Sequence, residues 1–231
     1  MSTGPGKLPT AKSGDVESFL AKVAATPRPT EGRGRLIFAM DATASREPTW
    51  EKARRIQSEM FTATAALGGL QVQLVFYRGF GECKATGWLA SADALVARMA
   101  AVRCLGGRTQ LAKVLSHAAR AAAKQKVGAL VFVGDCMEED IDEVCARAGE
   151  LGLLGVPAFM FHEGDDAIAA RAFQQIAKLT GGAYSRFDAS SAEQLKRLLG
   201  AVAAYVAGGP AALEDYGRRS GVALQLTARR G

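Results

Sequence analysis

Short continuous runs of apolar residues alternate along this chain with longer stretches in which apolar positions recur every three or four residues. Runs of the first kind are typical of strands buried on both faces of a parallel sheet, and the longer stretches are typical of amphipathic helices. The pattern therefore predicts alternating strands and helices. We predict strands at about 35–41, 71–77, 82–86, 127–134, 156–161 and 183–187.

Helical periodicity fills most of the connections between these strands. Pro48 suits the first turn of a helix, and Gly68 with Gly69 provides a stop signal for that helix. We predict helices at 15–25, 48–67, 91–102, 165–180 and 191–206, and two more that begin at Thr109 and at Glu138.

The third strand is joined to the second by a turn of only a few residues that contains Gly79 and Gly81. So short a connection permits only an antiparallel pair, because a parallel crossover needs a dozen residues or more. The pattern thus predicts an α/β fold of the Rossmann-like kind. Its doubly wound, mainly parallel six-stranded sheet has one antiparallel strand near an edge and helices on both faces.

Length and composition favour one main domain. The chain has 231 residues, of which 48% are hydrophobic, and this suffices for a single sizeable core. We expect a flexible N-terminal segment with a short helix at 1–34, a domain at 35–206, and a C-terminal tail at 207–231. That tail is interrupted by Gly and Pro from Gly208 onward, and we expect it to pack loosely.

Charge and cysteine content narrow the class of protein further. The net charge is +6, but the basic residues are scattered, so neither a concentrated patch nor a motif for nucleic acid is present. The four cysteines form no C-x-x-C pair and no zinc spacing, which is typical of reduced thiols in the cytosol. We find no secretory signal and no apolar stretch that would span a bilayer, so we expect a cytoplasmic protein without a membrane partner.

The chemistry begins where the first predicted strand ends. Asp41, Thr43 and Ser45 follow the apolar run 35–40 directly and alternate with alanines. They lie on the turn that leaves a strand's carboxyl end, which is where open α/β sheets place their ligand sites. A turn that offers only oxygen ligands suits Mg²⁺ or Mn²⁺ far better than zinc.

Two later loops carry similar groups. Thr109 starts a predicted helix after Gly106, Gly107 and Arg108, and Asp135 directly follows the strongest strand in the chain. Each residue alone has an ordinary explanation, since Ser and Thr cap helices and Asp often ends strands. All of them are predicted at the carboxyl edge of one sheet, which favours a shared metal site.

This set resembles the metal-ion-dependent adhesion site (MIDAS) of the von Willebrand factor A (vWA) domain family. The family pattern D-x-S-x-S, a distant Thr and a later Asp correspond here to Asp41, Thr43, Ser45, Thr109 and Asp135. The resemblance covers about residues 33–206 and includes the antiparallel third strand. Thr43 departs from the family's first Ser but keeps the hydroxyl.

The resemblance implies a stand-alone intracellular protein-binding module without enzymatic activity. In the family, hydroxyls bind Mg²⁺ directly and at least one Asp acts through water. By that analogy, Ser45, Thr43 and in some cases Thr109 would be direct ligands, while Asp41 and Asp135 would hold the ion and its waters. The ion would then coordinate an Asp or Glu carboxylate of a protein partner. Intracellular members serve as adaptors in multiprotein assemblies, including those of AAA+ ATPases and chaperones.

Three arginines are predicted next to these loops. Arg46 follows the first group of ligands, Arg108 precedes Thr109, and Arg78 ends the second strand. They form either a cationic rim that selects an acidic partner or three solvated side chains.

Two other functions remain open at this stage. A metal-dependent phosphohydrolase would use the same oxygens, although the aspartyl-phosphate phosphatases need a second Asp where Thr43 stands. A vWA domain without metal would be purely structural. Cys136, beside Asp135, is interpreted as a buried bystander.

Overall fold

The computed structural model describes residues 13–26, 34–46, 69–187 and 192–220. Six strands make one sheet, and their bounds differ from the predicted ones by at most two residues. They are β1 (Gly34–Asp41), β2 (Leu70–Arg78), β3 (Glu82–Ala85), β4 (Ala129–Gly134), β5 (Ala158–Glu163) and β6 (Ala183–Phe187). The strand order is β3-β2-β1-β4-β5-β6. All neighbours are parallel except β2 and β3, so the predicted sheet with an antiparallel edge strand is confirmed.

Helices cover both faces of this sheet. They are α1 (Ser13–Ala25), α2 (Ala92–Ala100), α3 (Leu111–Lys124), α4 (Ile141–Leu153), α5 (Ala167–Leu179) and α6 (Ala192–Ser220). Side chains of α1, α2 and α6 belong to one apolar core, and those of α3, α4 and α5 belong to a second core on the opposite face. The helix predicted at 48–67 lies outside the described residues.

The continuous apolar run of β1 follows from this double layer. Phe38 and Met40 join the core under α1, α2 and α6, while Ile37 and Ala39 join the core under the other three helices. All four side chains are fully buried. A strand that is buried on both faces has no solvent-facing position, and so its sequence shows no alternation.

The segment after Gly208 differs from its prediction. Gly209 adopts a left-handed φ of 70°, Pro210 follows, and the chain resumes helical geometry up to Ser220. Leu213 is fully buried, and Tyr216 packs so closely that a Cβ on Gly200 would collide with its hydroxyl. The loose packing expected after Gly208 is therefore wrong for residues 210–220.

Two predicted helix starts also need correction. The helix predicted from Thr109 begins at Leu111, and the helix predicted from Glu138 begins at Ile141. Asp140 caps the latter, because its Oδ1 accepts hydrogen bonds from Asp142 N and Glu143 N at 2.9 and 3.0 Å. Within the described part of the chain, no helix combines the length and apolarity needed to cross a membrane.

Candidate metal centre

Three loops meet at the carboxyl edge of the sheet. The first loop, residues 42–46, follows β1, and the third loop, residues 135–140, follows the neighbouring strand β4. The second loop, residues 103–110, leads into α3, and Leu105 N in this loop donates to Ala42 O at 3.1 Å. The sheet order thus brings together segments that are far apart in the sequence.

The first loop folds back on the aspartate that precedes it. Asp41 is fully buried, and its Oδ1 accepts a hydrogen bond from Thr43 N at 2.7 Å. The hydroxyl oxygens of Thr43 and Ser45 are 3.3 Å apart at the start of a short 3₁₀ turn. The alternation of Asp, Thr and Ser therefore places a carboxylate and two hydroxyls in one small space.

The third loop joins this group through Asp135. Ser45 Oγ donates to Asp135 Oδ2 at 3.1 Å, although the two residues are far apart in sequence. Potential ligand atoms of Asp41, Asp135 and Cys136 all lie within 4.8 Å of one another. Of the five predicted ligands, the structure thus gathers Asp41, Thr43, Ser45 and Asp135 into one cluster.

Thr109 connects to this cluster through the third loop. Its Oγ1 accepts from Glu138 N at 2.9 Å, and its own N donates to Glu138 Oε2 at 3.1 Å. The side chain is buried, and its hydroxyl oxygen already holds the second loop against the third loop. The structure therefore gives Thr109 a role in joining the two loops, whatever its role toward a metal.

Glu139 has a role that the sequence did not predict. Its carboxylate accepts hydrogen bonds from Leu111 N and, at 2.9 Å, from Ala112 N at the start of α3. The sequence interpretation instead placed Glu138 and Glu139 in the first turn of the following helix. The structure shows why this bond is needed, because Gln110 at the N-cap of α3 makes no capping bond with its own side chain. A helix of this kind needs a cap from elsewhere in the chain.

His162 supports the third loop from β5. It was predicted to lie beyond the fifth strand, but it is a fully buried residue of β5, paired with Gly134. The ring contacts Asp135 O at 3.2 Å through Nε2 and Tyr184 Oη at 2.9 Å through Nδ1. A carbonyl oxygen only accepts, so Nε2 carries the proton and Nδ1 accepts from the tyrosine. Burial lowers the pKa of His162, which favours this neutral form.

The electrostatics of the cluster favour a cation. Burial raises the pKa of the Cys136 thiol to about 12, and the carboxylates of Asp135 and Asp41 contribute to the rise. Burial also raises the pKa of Tyr77 well above its ordinary value, and Asp41 again adds to the effect. The carboxylate contributions to both shifts indicate a negative potential that opposes further negative charge, and such a potential attracts a divalent ion.

The donor set fits a divalent ion. Carboxylate and hydroxyl oxygens from the first and third loops are the hard ligands that Mg²⁺ prefers. Asp41 and Asp135 supply negative charge, while Thr43 and Ser45 supply neutral oxygens within hydrogen-bonding distance of their neighbours. Cys136 adds a thiol at the same place, which the oxygen-only pattern read from the sequence did not include.

The three arginines of the predicted rim differ in how available they are to a partner. Arg78 donates to Arg103 O at 2.7 Å and forms an ion pair with Glu82 at 3.0 Å. These contacts hold its guanidinium against the second loop and β3, which makes it less available to a partner. Arg108 is exposed beside Thr109. The backbone of Arg46 ends the 3₁₀ turn, and its side chain lies outside the described part of the structure.

Solved structures share this fold at low sequence identity. The vWA domain of SpRpn10 matches with a TM-score of 0.58 and 11% identity, over 77% of this chain and 98% of that domain. Proximal thread matrix protein 1 from the mussel byssus, solved with a zinc-occupied MIDAS motif, matches with a TM-score of 0.61 and 14% identity, over 77% of this chain and 49% of that one. The pilus adhesin SpaC from Lactobacillus rhamnosus GG matches with a TM-score of 0.60 and 10% identity, over 83% of this chain and 31% of that one.

The chain has a vWA-like fold. Its sheet order and antiparallel edge strand agree with the resemblance seen in the sequence, and the solved structures share the architecture. No protein-family model and no curated protein sequence matches the chain. This chain spans less than half of the byssus protein and under a third of the adhesin.

Proposed function

We propose that this chain is a metal-dependent protein-binding module that captures an acidic residue of a partner protein. The observation that carries the proposal is the hydrogen bond of 3.1 Å between Ser45 Oγ and Asp135 Oδ2. It joins two loops that lie far apart along the chain. It also gathers carboxylate and hydroxyl oxygens beside the buried Asp41. Such a cluster suits Mg²⁺, with Mn²⁺ as the alternative.

Each residue has a separate task in this proposal. Asp41 and Asp135 provide the negative charge that attracts the ion, and Thr43 and Ser45 provide neutral oxygens. Thr109 holds the second loop in place and offers a further hydroxyl. When bound, the ion supplies a positive charge that neutral ligands cancel only in part, so an anionic group can complete its coordination. The carboxylate of a partner's Asp or Glu has the required charge and hardness.

The rim refines the kind of partner. Arg108 is exposed beside the second loop, and Arg46 ends the turn of the first loop. Cations at these positions would favour an acidic segment around the captured carboxylate and would speed its association. We propose that the protein is cytoplasmic and that it is an adaptor in a multiprotein assembly, such as one built on an AAA+ ATPase or a chaperone.

An affinity capture experiment tests the proposal. Immobilised wild-type protein is exposed to native cell extract in Mg²⁺ or in EDTA, alongside Asp41→Ala and the control Asp142→Ala, which changes an exposed carboxylate on α4. We expect partners that are recovered in Mg²⁺ by the wild type and the control, and lost with EDTA or with Asp41→Ala. Recovery that does not depend on metal would show that the proposed mechanism is wrong.

Two further measurements separate the alternatives. Purified protein is assayed with generic phosphoesters and ATP, and turnover that needs Mg²⁺ and disappears in Asp41→Ala would establish a phosphohydrolase instead of an adaptor. Charge reversal at both Arg46 and Arg108 tests the rim against Arg218→Glu, which changes an exposed arginine of α6. We expect weaker binding of the recovered partner only in the first variant, and unchanged affinity would exclude the rim.

A further inference from the structure

A sulfur atom lies among the oxygens of the candidate metal centre. One ligand atom from each of Asp41, Asp135 and Cys136 lies within 4.8 Å of the other two. Cys136 is half-buried and carries a free thiol. Metal–ligand bonds of about 2.0–2.3 Å place neighbouring ligands about 3–4 Å apart, so small side-chain adjustments within this range would let two carboxylates and a thiol contact one ion.

The sulfur changes which ions the site prefers. Mg²⁺ takes oxygen ligands in octahedral geometry and gains little from a thiol. Zn²⁺ and its chemical relatives accept carboxylate oxygen and bind thiolate strongly, commonly in tetrahedral geometry. A site with two Asp and one Cys therefore carries a donor set that an oxygen-only site lacks.

We propose that Cys136 is a metal ligand that, with Asp41 and Asp135, lets the centre hold a thiophilic divalent ion of the Zn²⁺ class. This inference rests on the proposed metal-dependent function and names the ion class for the same site. On binding, the Cys136 S–H bond breaks, its proton passes to solvent and its electron pair forms the bond between sulfur and metal, so no oxidant or reductant is required. These three protein ligands would leave a coordination position for water or for a partner's carboxylate.

The other three cysteines are not placed to bind the same ion as Cys136. Cys145 lies on α4, Cys83 lies on β3, and Cys104 lies in the second loop. Among the described residues, Cys136 alone of the four belongs to a group of three potential metal ligands. Cys145 is thus a matched control, because its thiol is also partly exposed and belongs to no such group.

Cobalt spectroscopy tests the inference on the full chain. Co²⁺ substitutes for Zn²⁺, and a bound thiolate produces a charge-transfer absorption that oxygen ligands do not produce. We expect this band in the wild type and in Cys145→Ser, and its absence in Cys136→Ser. Competition titrations should show that Zn²⁺ affinity falls in Cys136→Ser by at least about tenfold, since losing even an outer partner of a ligand costs that much. Mg²⁺ affinity should stay unchanged.

The outcomes separate this inference from the proposed function. Absence of the band in cobalt-treated wild type, or its persistence in Cys136→Ser, would overturn the role of Cys136. Neither result changes the status of the proposed function, which is tested separately by whether capture of partners by the wild type depends on metal. Circular dichroism and the unfolding midpoint verify that Cys136→Ser is folded. Asp41→Asn is a second variant that should weaken the cobalt band while every thiol is retained.

Discussion

The first and third loops both lie at the candidate metal centre, but different kinds of hydrogen bond hold them there. At the start of the first loop, Thr43 N donates a hydrogen bond to Asp41, the last residue of β1 and only two residues away. In the third loop, Glu138 and Glu139 bond to residues of the second loop and of α3, which lie much earlier in the chain. The bond that turns the chain back at Asp41 is therefore local in sequence, whereas the bonds of Glu138 and Glu139 depend on distant segments.

This difference suggests different roles for the acidic residues Asp41 and Glu139. Asp41 is buried in a turn that an amide could also form, so its negative charge is not needed for the local geometry. Glu139 caps a helix whose N-cap residue offers no capping bond of its own. We therefore expect the charge of Asp41 to serve metal binding in the proposed function, whereas the charge of Glu139 serves the fold.

The largest expected effect is the loss of metal binding in Asp41→Asn. We expect Mg²⁺ affinity to fall by about 100-fold, because the amide removes a charged oxygen at the ion. The free energy of unfolding should change by less than about 1 kcal/mol, since the amide oxygen still accepts from Thr43 N. Calorimetric titration and urea unfolding measure the two quantities. A large loss of stability in Asp41→Asn would contradict the claim that the charge of Asp41 is not needed for the fold.

The opposite pattern is expected for Glu139→Ala. Two backbone N–H groups at the start of α3 lose a charged acceptor, and we expect the free energy of unfolding to fall by about 2–3 kcal/mol. Metal affinity in the folded fraction should stay within about threefold of the wild type, since Glu139 is not in the ligand cluster. The control Glu143→Ala changes an exposed carboxylate and should cost at most about 0.5 kcal/mol. Equal stability of the two variants in urea would refute the capping role.

A smaller effect is expected at the contact between the second and third loops. Thr109→Val keeps the shape of the side chain but removes the acceptor for Glu138 N, which should cost about 1–2 kcal/mol in urea unfolding. Thr109→Ser keeps the hydroxyl and should recover most of this loss. If both variants are equally destabilised, the methyl group matters and the hydrogen bond does not.

The smallest expected effect is a loss of stability in acid, which arises from the buried His162 that supports the third loop. Burial lowers the pKa of His162 and His117 below the ordinary value of 6.5, so the unfolded chain binds protons more readily than the folded one. Stability is therefore fully present above that value and declines as the pH falls through it. Urea midpoints of the metal-free protein between pH 7.5 and 5.5 should fall, and His162→Gln should flatten the slope. A midpoint that rises in acid would contradict the neutral His162.

Most of the fold followed from local patterns, because buried strands and amphipathic helices leave clear periodicities. The strand bounds needed small corrections, and the antiparallel edge strand followed from the length of one turn. Residues 210–220 were mistaken for a loose tail because Gly209 and Pro210 suggested a stop, although the buried Leu213 shows that the helical path resumes after a kink. Local stop signals do not reveal whether the next segment finds a core to pack against.

In the candidate site, too, local features were predicted from the sequence and long-range contacts were not. Asp41, Thr43 and Ser45 were predicted because their spacing is local, and Asp135 was predicted because it directly follows a strong strand. The bonds of Glu139 and His162 were not predicted, because each depends on which segments the sheet order brings together. Hydrogen bonds between distant loops leave no periodic trace in a sequence.

The carboxylate of Glu139 at the start of α3 has a consequence for selectivity. A helix N-terminus is a natural docking point for phosphate, sulfate or a stray acidic side chain. Here the protein fills that position with its own resident anion, which is bound to Leu111 N and Ala112 N. An incoming acid at this edge therefore meets a helix end that is already satisfied, and recognition is left to the cluster around Asp41.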